Sequence, residues 1–196
     1  GIPALTLADG GDNLVISTGD ILSGEVRPSK DVLLYDETGG HGALSTADLL
    51  ASGGARLELV TPDRTVGREI GGQNIPVYLK HLYAADARLT TDHRLLGVRR
   101  TGNRLVATLW NDFARVRVDR EVAQVVVDRT TLPADAPFQT LKSGACNLGQ
   151  TDFLQPGRLP NLNPEGRYML HRIGDALAAR DIHAVMLDAN RLARAH

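Results

Sequence analysis

The sequence holds a single cysteine, Cys146, which excludes an internal disulfide and a cysteine-only metal site. A reducing, cytoplasmic compartment is the expectation that follows. The six histidines are His41, His81, His93, His171, His183 and His196; none has a second His, Cys or acid at ligand spacing on one face. No metal site is expected from them. Formal net charge is only −1, which gives no long-range pull toward nucleic acid or an anionic membrane. No apolar run approaches the ~20 residues that span a bilayer, and no signal peptide is visible. Internal repeats and low-complexity tracts are missing as well. There is no initiator methionine, and the opening GIPALTL reads like the middle of a protein, so an excised piece of a larger chain is expected. Within these limits, 196 residues with 42% hydrophobic content can bury an ordinary core.

What is present is organised around residues 30–61, which read as one βαβ unit. Val32, Leu33, Leu34 and Tyr35 form an apolar run suited to a strand buried on both faces. Gly39, Gly40 and Gly42 follow. Leu44, Ala47, Leu49, Leu50 and Ala51 then predict a helix, stopped by Gly53 and Gly54. Leu57, Leu59 and Val60 predict the second strand. A strand, a glycine turn and a helix N-terminus make a place for a phosphate, because free N–H groups and the helix dipole favour an anion. This is the layout of a dinucleotide-binding half.

The details obey it less well. Read literally, Gly40-His41-Gly42-Ala43-Leu44-Ser45 is GxGxx with serine where glycine or alanine belongs. Counted back from Gly54, the helix register puts Thr38, Gly40 and Ala43 at the three fingerprint positions instead. One position fails either way. Asp36 and Glu37 lie near the expected pyrophosphate and would repel it. Thr61 stands where an acid should hold the adenine ribose, with Asp63 two residues late. A Rossmann unit that keeps its shape without its nucleotide is the competing reading.

The rest of the chain extends the α/β pattern. Residues 1–29 are a lead-in, with a short strand at 13–17 and a turn or single helical turn at 19–23, and Pro28-Ser29 as a separator. A second helix is predicted over 73–86, with Ile75, Val77, Leu79, Leu82 and Tyr83 on its apolar face, and 88–90 as a third parallel strand. Alternation over 96–100, 104–110 and 114–119 predicts a three-stranded antiparallel meander, whose first link Thr101-Gly102-Asn103 is hairpin chemistry. Trp110 and Phe113 read as a small core under it. QVVVD at 124–128 returns as a buried strand. The expected fold is therefore Rossmann-like, of the FAD/NAD(P)-binding kind, a parallel sheet plus a three-stranded meander, with 30–128 as its NAD(P)-binding-like domain. The proline-rich 130–164 reads as extended loop, 167–173 (RYMLHRI) as a strand. A last helix over 181–194 is capped by Asp181, with Ile182, Val185, Met186, Ala189, Leu192 and Ala193 on one face.

Four stretches carry a family resemblance: DVLLYD at 31–36, EIGGQNIPVYLKH at 69–81, NRLVATL at 103–109 and RIGDALAARDIHAVMLDANR at 172–191. They resemble the C-terminal region of the trimethylamine dehydrogenase and 2,4-dienoyl-CoA reductase family of NADH:flavin (Old Yellow Enzyme-like) oxidoreductases, nearest its N-methylproline demethylases. The resemblance implies a whole protein with a TIM barrel holding FMN and a 4Fe-4S cluster, then a FAD- or ADP-type domain interrupted by an NAD(P)-type domain. On that basis 1–29 and 129–196 belong to the FAD/ADP-type domain, the isolated chain carries no cofactor, and it has no catalytic residue. The partners implied are the absent barrel, an electron-transfer protein and a second copy of the chain. The resemblance also implies that Gly174 permits close approach of a nucleotide diphosphate and that Asp175 accepts its hydroxyl hydrogen bonds. A plain turn or cap is the alternative for Asp175.

The candidate cofactor-binding residues are thus Gly39, Gly40, Gly42, Gly174 and Asp175. His41 is expected to be solvated and His183 to pack. The meander arginines Arg99, Arg100, Arg104, Arg115, Arg117 and Arg120 read as a solvated face, or more sharply as a docking face for an electron-transfer partner. The expected function is the nucleotide-binding-like part of a flavin- and iron–sulfur-dependent amine dehydrogenase or N-demethylase, inactive alone. The alternatives are a 2,4-dienoyl-CoA reductase-type NADPH domain and a non-enzymatic Rossmann scaffold.

Overall fold

A computed structural model describes residues 6–152, 161–178 and 182–194. The chain forms two compact units, Leu5–Thr130 and Thr131–His196 with Gly1–Ala4. The first contains β1 (Ile16–Ser17), α1 (Thr18–Leu22), β2 (Asp31–Asp36), α2 (His41–Ser52), β3 (Arg56–Val60), α3 (Ile75–Ala84), β4 (Arg88–Thr90), β5 (His93–Thr101), β6 (Arg104–Asn111), β7 (Val116–Val122) and β8 (Gln124–Asp128). Five strands make a parallel sheet in the order β1-β8-β2-β3-β4, and β5-β6-β7 make a separate antiparallel sheet. The lead-in thus supplies the fifth strand, Ile16 pairing with Val126.

The apolar run of β2 explains the layering. Val32 and Leu34 join one core cluster with Leu44, Leu50 and Leu82 of α2 and α3; Leu33 and Tyr35 join another with Leu95, Leu105 and Leu109 of the meander. Side chains alternate across a strand, so a strand covered on both faces must be apolar at every position. Leu33, Leu34, Leu44, Leu59 and Leu109 are all fully buried, at about 1.5–3 kcal/mol each.

The expected apolar face of α3 is corrected. Only Leu82 is buried, with Ile75 and Tyr78 packed partly against the core; Val77 is 57% and Tyr83 65% exposed. Pro76 at the start fixes where the helix begins. Phe113 is also not a core residue. It is 66% exposed, with the Arg64 guanidinium 5.2 Å from its ring centroid.

In the second unit, α4 (Ala136–Leu141) and a 3-10 turn (Lys142–Gly144) occupy part of the region read as loop. Pro137 sits in the first turn of α4, where its missing N–H costs nothing. The strand expected at 167–173 is not formed; Tyr168 makes one isolated bridge with Ala145. Asn147 takes over the cohesive role, fully buried, donating to the carbonyls of Gln150 and Leu170 and accepting from Leu170 N–H. In α5 (Ile182–Ala193), Ile182 and Met186 of the expected apolar face are exposed, and so is His183. The capping role read for Asp181 lies outside the described residues.

Candidate functional site

In the parallel sheet, β2, β3 and β4 run to one side and β8 and β1 to the other. The order reverses between β2 and β8, and open α/β sheets offer ligands the crevice at the carboxyl ends of those strands. The 39–42 turn lies at this place, between β2 and α2.

The turn's geometry follows from its glycines. Gly39 has φ +71°, in the left-handed region, and its N–H donates to Asp36 Oδ1 at 2.7 Å. Gly40 is the N-cap of α2 and has no side chain to cap the helix; its N–H donates to Thr38 Oγ1 at 3.2 Å. Gly42 stands in the first turn, where an added Cβ would lie 2.8 Å from Asp128 Oδ1. Gly39 precedes the N-cap, Gly40 is the N-cap and Gly42 lies in the first turn of α2.

What faces them is acid. Asp36 ends β2 and is fully buried, with Oδ2 lacking a hydrogen-bond partner. Burial pushes its carboxyl up to about 6, the charges of Asp128 and Asp63 add to this, and the Gly39 N–H opposes it. Asp128 ends β8 and is the Cα register partner of Asp36. Its carboxylate accepts from Thr18 Oγ1 at 2.7 Å and from Thr38 Oγ1 at 2.5 Å. Thr18 is held there by a capping box at the start of α1, in which Ser17 and Asp20 satisfy each other's backbone N–H. Sequence reasoning missed both Asp128 and Thr18. The only signal was a second strand ending in Asp, and its register against β2 is a tertiary fact.

The ribose end is closed too. Thr61 is fully buried and its Oγ1 accepts from Asp63 N–H at 3.2 Å. Asp63 pairs with Arg68 at 2.5 Å. His41 is exposed, its Nδ1 3.2 Å from Tyr78 Oη. The start of α2 thus faces carboxylates on β2 and β8, with Asp128 Oδ1 beside Gly42 and no side chain capping the helix. The described residues contain no group of three or more His, Cys, Asp or Glu placed to hold a metal ion.

Gly174 and Asp175 lie in the second unit, in the 3-10 turn Gly174–Ala176. Gly174 has φ +59° and is buried; a Cβ there would meet Val185 Cγ1 of α5 at 3.1 Å. Its conformation and its packing each require glycine. Asp175 is exposed.

No protein-family model matches the chain. Over 196 residues it is 39% identical to a probable N-methylproline demethylase of Rhizobium meliloti (strain 1021), a match covering 98% of this chain and 29% of that protein. Over 190 residues it is 38% identical to N,N-dimethylglycine/sarcosine dehydrogenase of Chromohalobacter salexigens, covering 93% of this chain and 27% of that protein. The chain therefore spans less than a third of the length of these curated relatives. Histamine dehydrogenase from Rhizobium sp. 4-9 shares the fold with a TM-score of 0.72 at 16% identity, over 95% of this chain and 27% of that one. Sequence and fold agree: the chain is homologous to a part of N-methylproline demethylase and of dimethylglycine/sarcosine dehydrogenase, and it has the fold of the matching part of histamine dehydrogenase.

Proposed function

We propose that this chain is the nucleotide-binding-like portion of a flavin- and iron–sulfur-dependent amine dehydrogenase or N-demethylase, and that its Rossmann unit serves as a scaffold that takes no nicotinamide dinucleotide. The observation that carries the scaffold role is the pairing of Asp36 with Asp128 at the crevice where a dinucleotide would lie. The relatives' names support the amine chemistry. On this reading the whole protein oxidises an N-methyl amine to an iminium, which water hydrolyses to formaldehyde and the demethylated amine. No catalytic residue is assigned to this chain. Its partner is a barrel domain with FMN and a 4Fe-4S cluster, and Gly174 with Asp175 meets the diphosphate of FAD or ADP within the FAD/ADP-type domain to which 129–196 belongs.

Calorimetry on the purified chain with NADH, NADPH and ADP tests the scaffold role. Binding of each no tighter than about millimolar is expected, equivalent to about −4 kcal/mol. Micromolar NADPH binding would instead support a 2,4-dienoyl-CoA reductase-type domain. Amine-dependent dye reduction by the chain alone would overturn the assignment of catalysis to a separate barrel.

A further inference from the structure

We propose that Asp128 is the residue that closes the crevice: its carboxylate, held by Thr18 and Thr38 against Gly42, takes the place over the first turn of α2 that a dinucleotide's diphosphate takes in a working Rossmann half. The proposal rests on the scaffold reading above and names what enforces it.

Three observations converge. In the GxG pattern the second glycine exists so that a diphosphate can approach the backbone. In the literal Gly40-His41-Gly42 reading Gly42 holds that position, and the atom approaching it is Asp128 Oδ1, 2.8 Å from where a Cβ would stand. The N-cap of α2 is linked to this carboxylate through Thr38. Gly40 N–H donates to Thr38 Oγ1, and Thr38 Oγ1 donates to Asp128 Oδ2. A carboxylate beside the first turn of α2 shares the attraction that the helix dipole would offer a phosphate.

The surroundings of the crevice are dominated by acid. Asp36 is fully buried beside Asp128 with Oδ2 unpartnered. Asp63 and Arg68 are paired with each other, and Arg68 also pairs with Glu69. Arg129, the residue after Asp128, pairs with Asp12 through Nη1 at 2.6 Å, while its Nη2 has no hydrogen-bond partner among the described residues. A diphosphate would have to displace one carboxylate from a site flanked by two others. The glycines of the turn are retained for an internal ligand.

Two experiments test this on the full 196-residue chain. The first is a fluorescence titration with NADPH. The wild type is expected not to saturate below about 1 mM, and D36N/D128A is expected to bind at least about tenfold tighter. D128N keeps the side chain's shape while removing its charge, and is expected to gain about threefold. Folded variants with no gain overturn the proposal and leave the scaffold reading standing. Micromolar binding by the wild type overturns both.

The second experiment needs no nucleotide. In a helix, alanine is ordinarily preferred to glycine. G42A is expected to lower the melting temperature of the wild type, where its methyl meets Asp128, and to raise it in D128A, where that space is free. A stabilising G42A in the wild type would show that Asp128 is not seated against Gly42, and overturns the proposal.

Discussion

Asp36 and Asp128 are Cα register partners at the ends of adjacent parallel strands, which sets two carboxylates side by side at the floor of the crevice. Only one of them, Asp128, has hydroxyl donors on both oxygens. Asp36 takes one backbone N–H and is otherwise buried, which pushes its carboxyl up to about 6. Its native form therefore holds a proton that the unfolded form, near 3.8, has released. Between those two values the folded state binds more protons, so this group's contribution to stability falls as pH rises. The full cost of the ionised form is present above pH 6 and is relieved below 3.8. D36N should thus stabilise the protein at pH 8, by up to about 2–3 kcal/mol, and have much less effect near pH 4. Thermal melts of both proteins at the two pH values check this; equal effects at both would refute it.

Glu58 ties the meander to the parallel sheet. Arg120 Nε of β7 lies 3.1 and 3.0 Å from its two carboxylate oxygens, and Thr90 Oγ1 donates to it at 2.7 Å. Its side chain is only 12% exposed. E58A leaves a largely buried guanidinium without its acid and should cost about 2 kcal/mol, while R99A, on an exposed pair with Asp119, should stay within about 0.5 kcal/mol. Urea denaturation with an unchanged slope reads both values.

The lead-in crosses β5 at a point where only glycine fits. Gly11 has φ +96°, and a Cβ there would lie 1.9 Å from the Val98 carbonyl oxygen. Gly97 sits at the bulge in β5 and passes within van der Waals reach of Asp9. G11A is expected to cost at least about 3 kcal/mol, since both the backbone angle and the contact are lost. Gly10 is the control. It has φ +82° but nothing within 4 Å of an added Cβ, so G10A should be milder. Equal melting temperatures for the two variants would contradict the crossing described.

The corrected face of α3 gives a direct comparison. L82A should cost about 2–5 kcal/mol, as a fully buried leucine does. V77S and Y83S, both at exposed positions, should remain within about 0.5 kcal/mol of wild type. Chemical denaturation of the three variants separates the observed face from the one read off the sequence.

Local patterns carried most of the α/β reading. The run Val32 to Tyr35, the helix bounded by Gly40 and Gly53 and the hairpin at Thr101-Gly102-Asn103 all rest on burial period and on turn chemistry, and these act within a few residues. Where several faces compete for one surface, the sequence was ambiguous. Val77 and Tyr83 have the right spacing to be core, yet both are exposed, and Leu82 alone of the α3 face is fully buried. RYMLHRI has strand composition, but a strand needs a partner along its length, and it bridges only at Tyr168. The same limit applies to the crevice. The glycines and Asp36 were legible because they are neighbours in sequence. The seat of Asp128 against Gly42 depends on the register of β8 against β2 and on α1 presenting Thr18, contacts 86 to 110 residues apart that only the packed sheet decides.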